Sequence, residues 1–226
     1  MSTLFIGDPH EKIDRLKALI AEHGPKAKNI VCVGDYFDSW DGYGPNTEAT
    51  LQWLIENIDD PKYKFILGNH DLQYAAGVDN AGFICSGYNG LTKNLCSTKV
   101  DWEFWSKFHL WVESDGYIAS HAGFNETTYW VKNVETWRMA LQTGNSHHLA
   151  FAVGEDSGGH SKNPGPFWLR WDKLEGVESL HQIVGHTELD GIQFKQTGEN
   201  SSAFNIDCGL REVLLVHRFG EWEILD

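Results

Sequence analysis

Five short motifs follow one another along the chain: Gly7-Asp8-Pro9-His10, Gly34-Asp35-Tyr36-Phe37-Asp38, Gly68-Asn69-His70-Asp71, Ser120-His121-Ala122-Gly123 and Val184-Gly185-His186-Thr187. Each delivers an Asp, Asn or His just after an apolar segment, which is how a fold converges oxygen and nitrogen ligands on a pair of divalent cations. One such motif carries little weight, whereas the ordered set carries a great deal. Two cations about 3.5–4 Å apart, the spacing of two-metal hydrolytic sites, repel one another and need a bridging carboxylate. Asp35 is the candidate bridge, with Asp8 and His10 completing one metal and Asn69, His121 and His186 forming the other. Asp8 and His10 are separated by a single residue, so an extended segment turns both side chains to the same side. The amide of Asn69 adds no negative charge, which leaves the cations electrophilic enough to acidify a bridging water toward hydroxide near neutral pH.

A second pair of groups suits proton transfer. His70 follows the candidate ligand Asn69, and Asp38 stands three residues beyond Asp35. A histidine held by a carboxylate stays protonated near neutrality and donates to a leaving alkoxide, so His70 is the expected general acid and Asp38 its orienting partner. Asp71 is expected to accept hydrogen bonds from nearby backbone amides.

These residues need elements to position them. Apolar runs at Thr3–Ile6, 29–33 and 64–67 read as three buried strands. Between the first two, Ile13, Leu16, Leu19 and Ile20 recur at helical spacing before Gly24-Pro25. Between the second and third, Asn46 or Thr47 is the expected cap of a helix carrying Leu51, Leu54, Ile55 and Ile58. This is β-α-β-α-β, hence a parallel sheet whose carboxyl ends hold Asp8, Asp35 and Asn69 together. Residues 75–94 are rich in turn formers and read as a loop or small cap near the site. Residues 101–108 are expected to pack Trp102, Phe104, Trp105 and Phe108 on the sheet from a short helix, and Tyr117–Ser120 to be the strand that delivers His121. Residues 126–141 read as helix and 154–166 as a polar loop. Near the end, 203–206, Val213–Val216 and Trp222–Leu225 look like an antiparallel meander, so two packed sheets with helices outside are expected.

Composition sets limits. A chain of 226 residues suits one domain with a sizeable core, and the motifs span most of it. The formal charge of −14 argues against a nucleic-acid footprint, although part of it is expected to be neutralised by bound cations. Four cysteines without a CxxC pair read as reduced and structural. With no membrane-length apolar run and no signal-like start, a cytoplasmic location is expected. His147, His148 and His160 lie in polar segments and read as solvated, His109 and His181 as packing or surface residues, and His217 as an alternative ligand lacking a Gly-His turn.

Asp-x-His, Gly-Asp-x-x-Asp, Gly-Asn-His-Asp, His-Ala-Gly and Gly-His-Thr, in this order, resemble the calcineurin-like metallophosphoesterase superfamily. Within it, residues 34–38, the Gly-Asn-His-Asp block and Asn205-Ile206-Asp207-Cys208-Gly209 resemble the phosphoprotein phosphatase branch, which includes small phage Ser/Thr protein phosphatases and bacterial diadenosine tetraphosphatases. The resemblance runs from residue 4 to about 215. It implies an α/β fold of the two-sheet α/β/β/α sandwich type, a single metallophosphoesterase domain over 1–226, a pair of Mn²⁺, Fe or Zn ions, and hydrolysis without a phosphoenzyme. Two departures stand out. Ser39-Trp40 replaces the Arg-Gly that often follows Gly-Asp-x-x-Asp, which removes one phosphate clamp, and Glu11 replaces a glycine after the first motif. Arg170, in Phe167-Trp168-Leu169-Arg170-Trp171-Asp172, resembles the second phosphate-binding arginine and is set against the reading of a surface residue stacked between tryptophans.

The expected function is therefore a metal-dependent phosphomonoesterase using a metal-bridging hydroxide, with a phosphorylated protein as substrate. Hydrolysis of nucleotides or dinucleoside polyphosphates is the alternative on the same centre. A metal-bound scaffold without catalysis is the alternative of another class.

Overall fold

The computed structural model describes residues 2–39, 42–76, 81–133, 136–218 and 220–226. In chain order its elements are β1 (Thr3–Ile6), α1 (Ile13–His23), β2 (Asn29–Cys32), α2 (Pro45–Asn57), β3 (Tyr63–Phe65), α3 (Asn69–Ala75), α4 (Gly90–Lys99), α5 (Trp102–Ser106), β4 (Trp111–Ser114) and β5 (Tyr117–Ser120). They continue as α6 (Glu126–Tyr129), α7 (Thr136–Gln142), β6 (His181–Val184), β7 (Gln193–Gly198), β8 (Ser201–Asn205), β9 (Val213–Val216) and β10 (Trp222–Leu225).

The strands form two five-stranded sheets, ordered β10-β9-β1-β2-β3 and β4-β5-β6-β8-β7. β1, β2 and β3 are parallel, as the β-α-β-α-β pattern requires, and β5, β6 and β8 form a second parallel run. The second sheet is edged on both sides by antiparallel strands, β4 and β7, and the first on one side, by β9 and β10. Side-chain alternation then decides the layers. Phe5, Val31, Val33, Leu214 and Val216 point inward and meet Tyr117, Ala119, Ile183 and Phe204 of the second sheet. Leu4, Ile6, Ile30, Cys32, Val213 and Leu215 point outward onto a helical layer that includes Leu16 and Leu19 of α1 and Leu51 and Leu54 of α2. The outer face of the second sheet is covered more thinly, by Phe124, Leu169, Leu174, Val177 and Leu180 from loops and turns. This is the α/β two-sheet sandwich expected of the metallophosphoesterase type.

Several local expectations are corrected. Helix α2 starts two residues earlier than an Asn46 cap, and three earlier than a Thr47 cap, would give: Gly44 caps it, Pro45 takes the first position, and Thr47 Oγ1 accepts the Gly44 N–H at 3.2 Å. The late strands are no single meander. β8 inserts between β6 and β7, parallel to β6, while β9 and β10 form a hairpin that returns to the first sheet beside β1. Residues 126–141 are broken into α6, a 3₁₀ turn over Trp130–Asn133 and α7, with 134–135 outside the described residues. The segment 75–94 ends in the first turn of α4, capped by the Asn89 side chain, and 77–80 lie outside the described residues. Residues 101–108 behave as expected: Asp101 caps α5, and Phe104, Trp105 and Phe108 are buried.

Phe5 has no exposed surface and lies in the layer between the sheets. Phe5→Ala is expected to cost about 3–5 kcal/mol of stability, read as a lower urea midpoint at unchanged m-value. A loss below about 1 kcal/mol would show that this layer does not hold the sandwich together.

Candidate active site

Every motif leaves the carboxyl end of a strand: Asp8 after β1, Asp35 after β2, Asn69 after β3, His121 after β5 and His186 after β6. The loops are stitched directly to one another. His10 N–H donates to Asp35 O at 2.9 Å, Gly185 N–H to His121 O at 2.7 Å, and His186 N–H to Asp8 Oδ2 at 2.8 Å. Asp71 closes the set by accepting from the N–H groups of Asp35 at 2.8 Å, Tyr36 at 2.9 Å and Gly68 at 2.8 Å, the backbone-acceptor role expected of it. The packing leaves no room at two glycines: a Cβ on Gly185 would overlap Asp8 Oδ1, and one on Gly68 would overlap Asp35 Oδ1. His10, Glu11, Asp35, Asp38 and His186 all hold left-handed backbone, with φ between 42° and 68°, a conformation that costs energy for these residue types and that clusters at functional sites.

The six candidate ligands come together around Asp35. One ligand atom each from Asp8, His10 and Asp35 lie within 4.8 Å of one another, and so do those of Asp35, His121 and His186. Asp35 Oδ2 is 3.7 Å from His10 Nε2 and 3.4 Å from His121 Nε2. Carbonyl oxygens fix the tautomers. His10 Nδ1 faces Phe37 O at 3.1 Å and Asp38 O at 3.2 Å, and His121 Nδ1 faces Val33 O at 2.9 Å. A carbonyl only accepts, so Nδ1 carries the hydrogen and Nε2 presents its lone pair inward. Asn69 Oδ1 then meets His121 Nε2 at 2.8 Å and His186 Nδ1 at 2.9 Å. His10 reaches the cluster through a left-handed turn rather than the extended segment expected for Asp8 and His10.

The electrostatics fit a cation. Asp8 Oδ1 is buried and finds no hydrogen-bond partner among the described residues. Burial, with the charges of Asp207 and Asp35, pushes the Asp8 carboxyl well above its ordinary range, and burial pushes Asp207 to about 7. Asp35 differs: burial raises it, but the imidazoles of His121, His70, His10 and His186 outweigh that and hold it at about 2. Burial lowers His121, and takes His186 down to about 3, so both are neutral with lone pairs to offer. An orphaned carboxylate oxygen, a shared carboxylate and converging lone pairs form a donor set suited to divalent metal.

His70 and Asp38 lie beside this cluster. His70 N–H donates to Asp35 Oδ1 at 2.9 Å, and its Nδ1 contacts Asp38 Oδ2 at 2.9 Å. Burial acts to lower the His70 pKa, but Asp35 and the Asp38 hydrogen bond prevail and raise it to about 11. Asp38 is also held by Gln73 Nε2 and Tyr74 Oη, neither of which the motifs singled out. Residues 85–89 lean on this group: Cys85 N–H donates to Gln73 Oε1 at 3.0 Å, Asn89 N–H donates to Tyr74 Oη at 3.1 Å, and Tyr88 stacks on Tyr74. Glu11 and Asp207, both buried, were also missed. An acidic side chain directly after a ligand motif, and a carboxylate in Asn-Ile-Asp-Cys-Gly beside a strand end, were the available signals.

Arg170 stands farther out, with its side chain 46 % exposed and Nε 3.6 Å from Asp172 Oδ1, yet its charge is among those that lower His186. It lines a cavity of about 370 Å³ shared with Trp168, Lys162 and Lys173, and Trp168 packs edge-on to His186 at 6.0 Å. The remaining histidines are not brought in. His217, weighed as an alternative ligand, is engaged by Ser2 Oγ at 2.9 Å and Glu223 Oε1 at 2.8 Å. His181 meets Ser202 Oγ at 2.8 Å, and His148 accepts from Ala150 N at 3.2 Å.

A model of the calcineurin-like phosphoesterases matches residues 1–207, and the chain belongs to that family. It is a metallophosphatase by family and site, hydrolysing phosphoesters with divalent metal. Solved structures share the fold at low identity. A cold-active protein tyrosine phosphatase is 15% identical, with 99% of this chain and 78% of that one covered at a TM-score of 0.62. A putative diadenosine tetraphosphatase is 14% identical, with 99% and 92% covered at 0.55. A protein serine/threonine phosphatase from Saccharomyces cerevisiae, similar to human phosphatase PP5, is 18% identical, with 100% and 80% covered at 0.53. No curated protein matches the chain.

Asp71→Asn turns one of the two oxygens that together accept three buried N–H groups into an amide donor. A loss of about 1–3 kcal/mol is expected, together with weaker metal retention on dialysis, because at least one backbone N–H of the loops carrying Asp35 and Gly68 then faces another donor. Wild-type stability and metal content in this variant would refute the stitching role.

Proposed function

We propose that the chain is a phosphomonoesterase of the Ser/Thr protein phosphatase type, one catalytic unit over residues 1–226. One observation carries the two-metal part of the reading: Asp35 belongs to both donor groups through its side chain and anchors the His70 backbone through Oδ1. Asp8, His10 and Asp35 would hold one divalent ion, and Asp35, Asn69, His121 and His186 the other, with Mn²⁺ preferred and Fe or Zn as alternatives. Such a pair, when bound, supplies Lewis-acid stabilisation of phosphoryl charge and an acidified water. The protein side of the chemistry is proton delivery. His70 Nδ1 is tied to Asp38, so Nε2 presents its proton to the leaving oxygen, and Gln73 and Tyr74 keep Asp38 in place. Arg170 would bind phosphate oxygens or the group beyond them, a role supported by its charge acting on His186. Four free thiols accord with a reducing, cytoplasmic setting, and among the described residues no helix is long and apolar enough to cross a membrane.

The dinucleoside polyphosphate reading has its own support. The cavity lined by Trp168, which packs on His186, offers an indole wall for a base, and Arg170, Lys162 and Lys173 line it for further phosphates, set against the carboxylates of Glu155, Asp156 and Glu175 in the same lining. Specificity constants on a phosphopeptide and a dinucleoside tetraphosphate, measured side by side, rank the two. A higher value for the phosphopeptide supports the protein phosphatase; the reverse overturns it.

Chelation followed by Mn²⁺ add-back is expected to abolish and restore aryl phosphate hydrolysis. Asp35→Asn should lose at least ~10³-fold in kcat, since both cations depend on that carboxylate. Equal turnover by Asp35→Asn and wild type would end the two-metal reading.

His70→Asn should lose ~10²–10⁴-fold on alkyl phosphates but much less on nitrophenyl phosphate, whose leaving group needs no proton. The raised pKa of His70 keeps its proton present through neutral pH and lost only as pH climbs past it. Asp38→Asn removes part of that support, so the alkaline limb of the pH–rate profile should move to lower pH. An unmoved limb would remove Asp38 from the proton path.

A further inference from the structure

Cys85 differs from the other cysteines. Cys32, Cys96 and Cys208 are buried, whereas Cys85 is half-exposed and sits against the proton-donating pair. Its Sγ is 3.8 Å from His70 Nδ1, and that nitrogen is 2.9 Å from Asp38 Oδ2. One ligand atom each from Asp38, His70 and Cys85 lie within 4.8 Å of one another. This group shares no residue with the six candidate ligands, although Cys85 Sγ also lies 3.8 Å from Asn69 Nδ2, and among the described residues it is the candidate group that contains sulfur. Four-coordinate zinc bonds sulfur at about 2.3 Å and nitrogen or oxygen at about 2.0–2.2 Å, which puts sulfur and nitrogen ligands roughly 3.6 Å apart and nitrogen and oxygen ligands roughly 3.3 Å apart. The protein already stands within a few tenths of an ångström of both separations.

We infer that Asp38, His70 and Cys85 form an inhibitory site for a thiophilic divalent cation such as Zn²⁺, distinct from the hydrolytic metal pair. The cation bonds Cys85 Sγ, His70 Nδ1 and Asp38 Oδ2, with water as the fourth ligand. The thiol proton and the Nδ1 proton leave to solvent as the two bonds form. Asp38 is already oriented by Gln73 and Tyr74, and the Cys85 backbone is fastened to Gln73 Oε1 at 3.0 Å, so the ligands come from a braced arrangement. Harder cations such as Mn²⁺ and Mg²⁺ favour oxygen ligands over thiolate, so the site discriminates between the activating metal and the inhibitory one. Coordinated through Nδ1, His70 is a neutral imidazole whose remaining Nε2 proton is far less acidic than that of imidazolium. The inhibition rests on the reading of His70 as proton donor; the metal site itself does not.

The test loads wild type and Cys85→Ser with Mn²⁺, equilibrates each with a series of free Zn²⁺ concentrations, and counts total metal per chain beside aryl and alkyl phosphate turnover. Wild type is expected to take a third equivalent that Cys85→Ser lacks. The Zn²⁺ concentration that halves each protein's own Mn²⁺ activity should be at least ~10-fold higher for the variant, since a thiolate ligand is gone. Cobalt gives an independent readout: a thiolate-to-cobalt charge-transfer band in wild type and none in Cys85→Ser. Equal metal content with the band present in both proteins, or no band in either, overturns the site. A third equivalent lost in the variant with identical inhibition of both proteins upholds the site and instead removes His70 as proton donor.

Discussion

Buried lone pairs pointed at one another are the constraint on which the molecule is organised. Asn69 Oδ1, the inward nitrogens of His121 and His186, Asp35 Oδ2 and the unpartnered Asp8 Oδ1 crowd together with few protons between them. Left alone, such a group repels itself and loses solvation. It persists because each donor is carried on a strand end whose direction is set by sheet packing, and because neighbouring loops are bound backbone to backbone. The inter-sheet layer of Phe5, Val31, Ile183 and Phe204 therefore serves the chemistry indirectly, by holding five loop origins at fixed separation.

The sequence displayed the donors well because their chemistry is local. An apolar run followed by Gly-Asp or Gly-Asn-His marks a strand end, and the glycine is demanded by the neighbouring carboxylate, as at Gly68 and Gly185. Helix α1 was equally plain from the spacing of Ile13, Leu16 and Leu19. Strand partnership was not legible. Whether residues 201–205 pair beside β9 or beside β6 depends on contacts between distant segments, and no local pattern encodes them. The start of α2 was missed by preferring Asn46 and Thr47 to the Gly44-Pro45 pair, and His217 drew attention by residue type although Ser2 and Glu223 already occupy both its nitrogens.

The two departures from the family pattern turn out to be one. Glu11 Oε1 accepts the Asp38 N–H at 3.2 Å, while Oε2 accepts Ser39 Oγ at 3.1 Å and Thr47 Oγ1 at 2.8 Å. A carboxylate at position 11 thus fastens the loop that carries Asp38 and the start of α2, using the serine that stands where an arginine is common. Burial raises the Glu11 pKa, opposed by these same hydrogen bonds. What the mouth of the site lacks in fixed positive charge at Ser39 it gains in a rigid floor beneath Asp38.

Asp8 and His186 are 178 residues apart in sequence, yet one holds the other's backbone at 2.8 Å. No denatured chain keeps such a pair adjacent, so an ion that occupies the centre recognises only the folded form. By mass action its affinity adds directly to resistance against unfolding. Heat tolerance and occupancy are then two measures of a single equilibrium, and a cell that starves the enzyme of its cation also makes it prey to proteolysis.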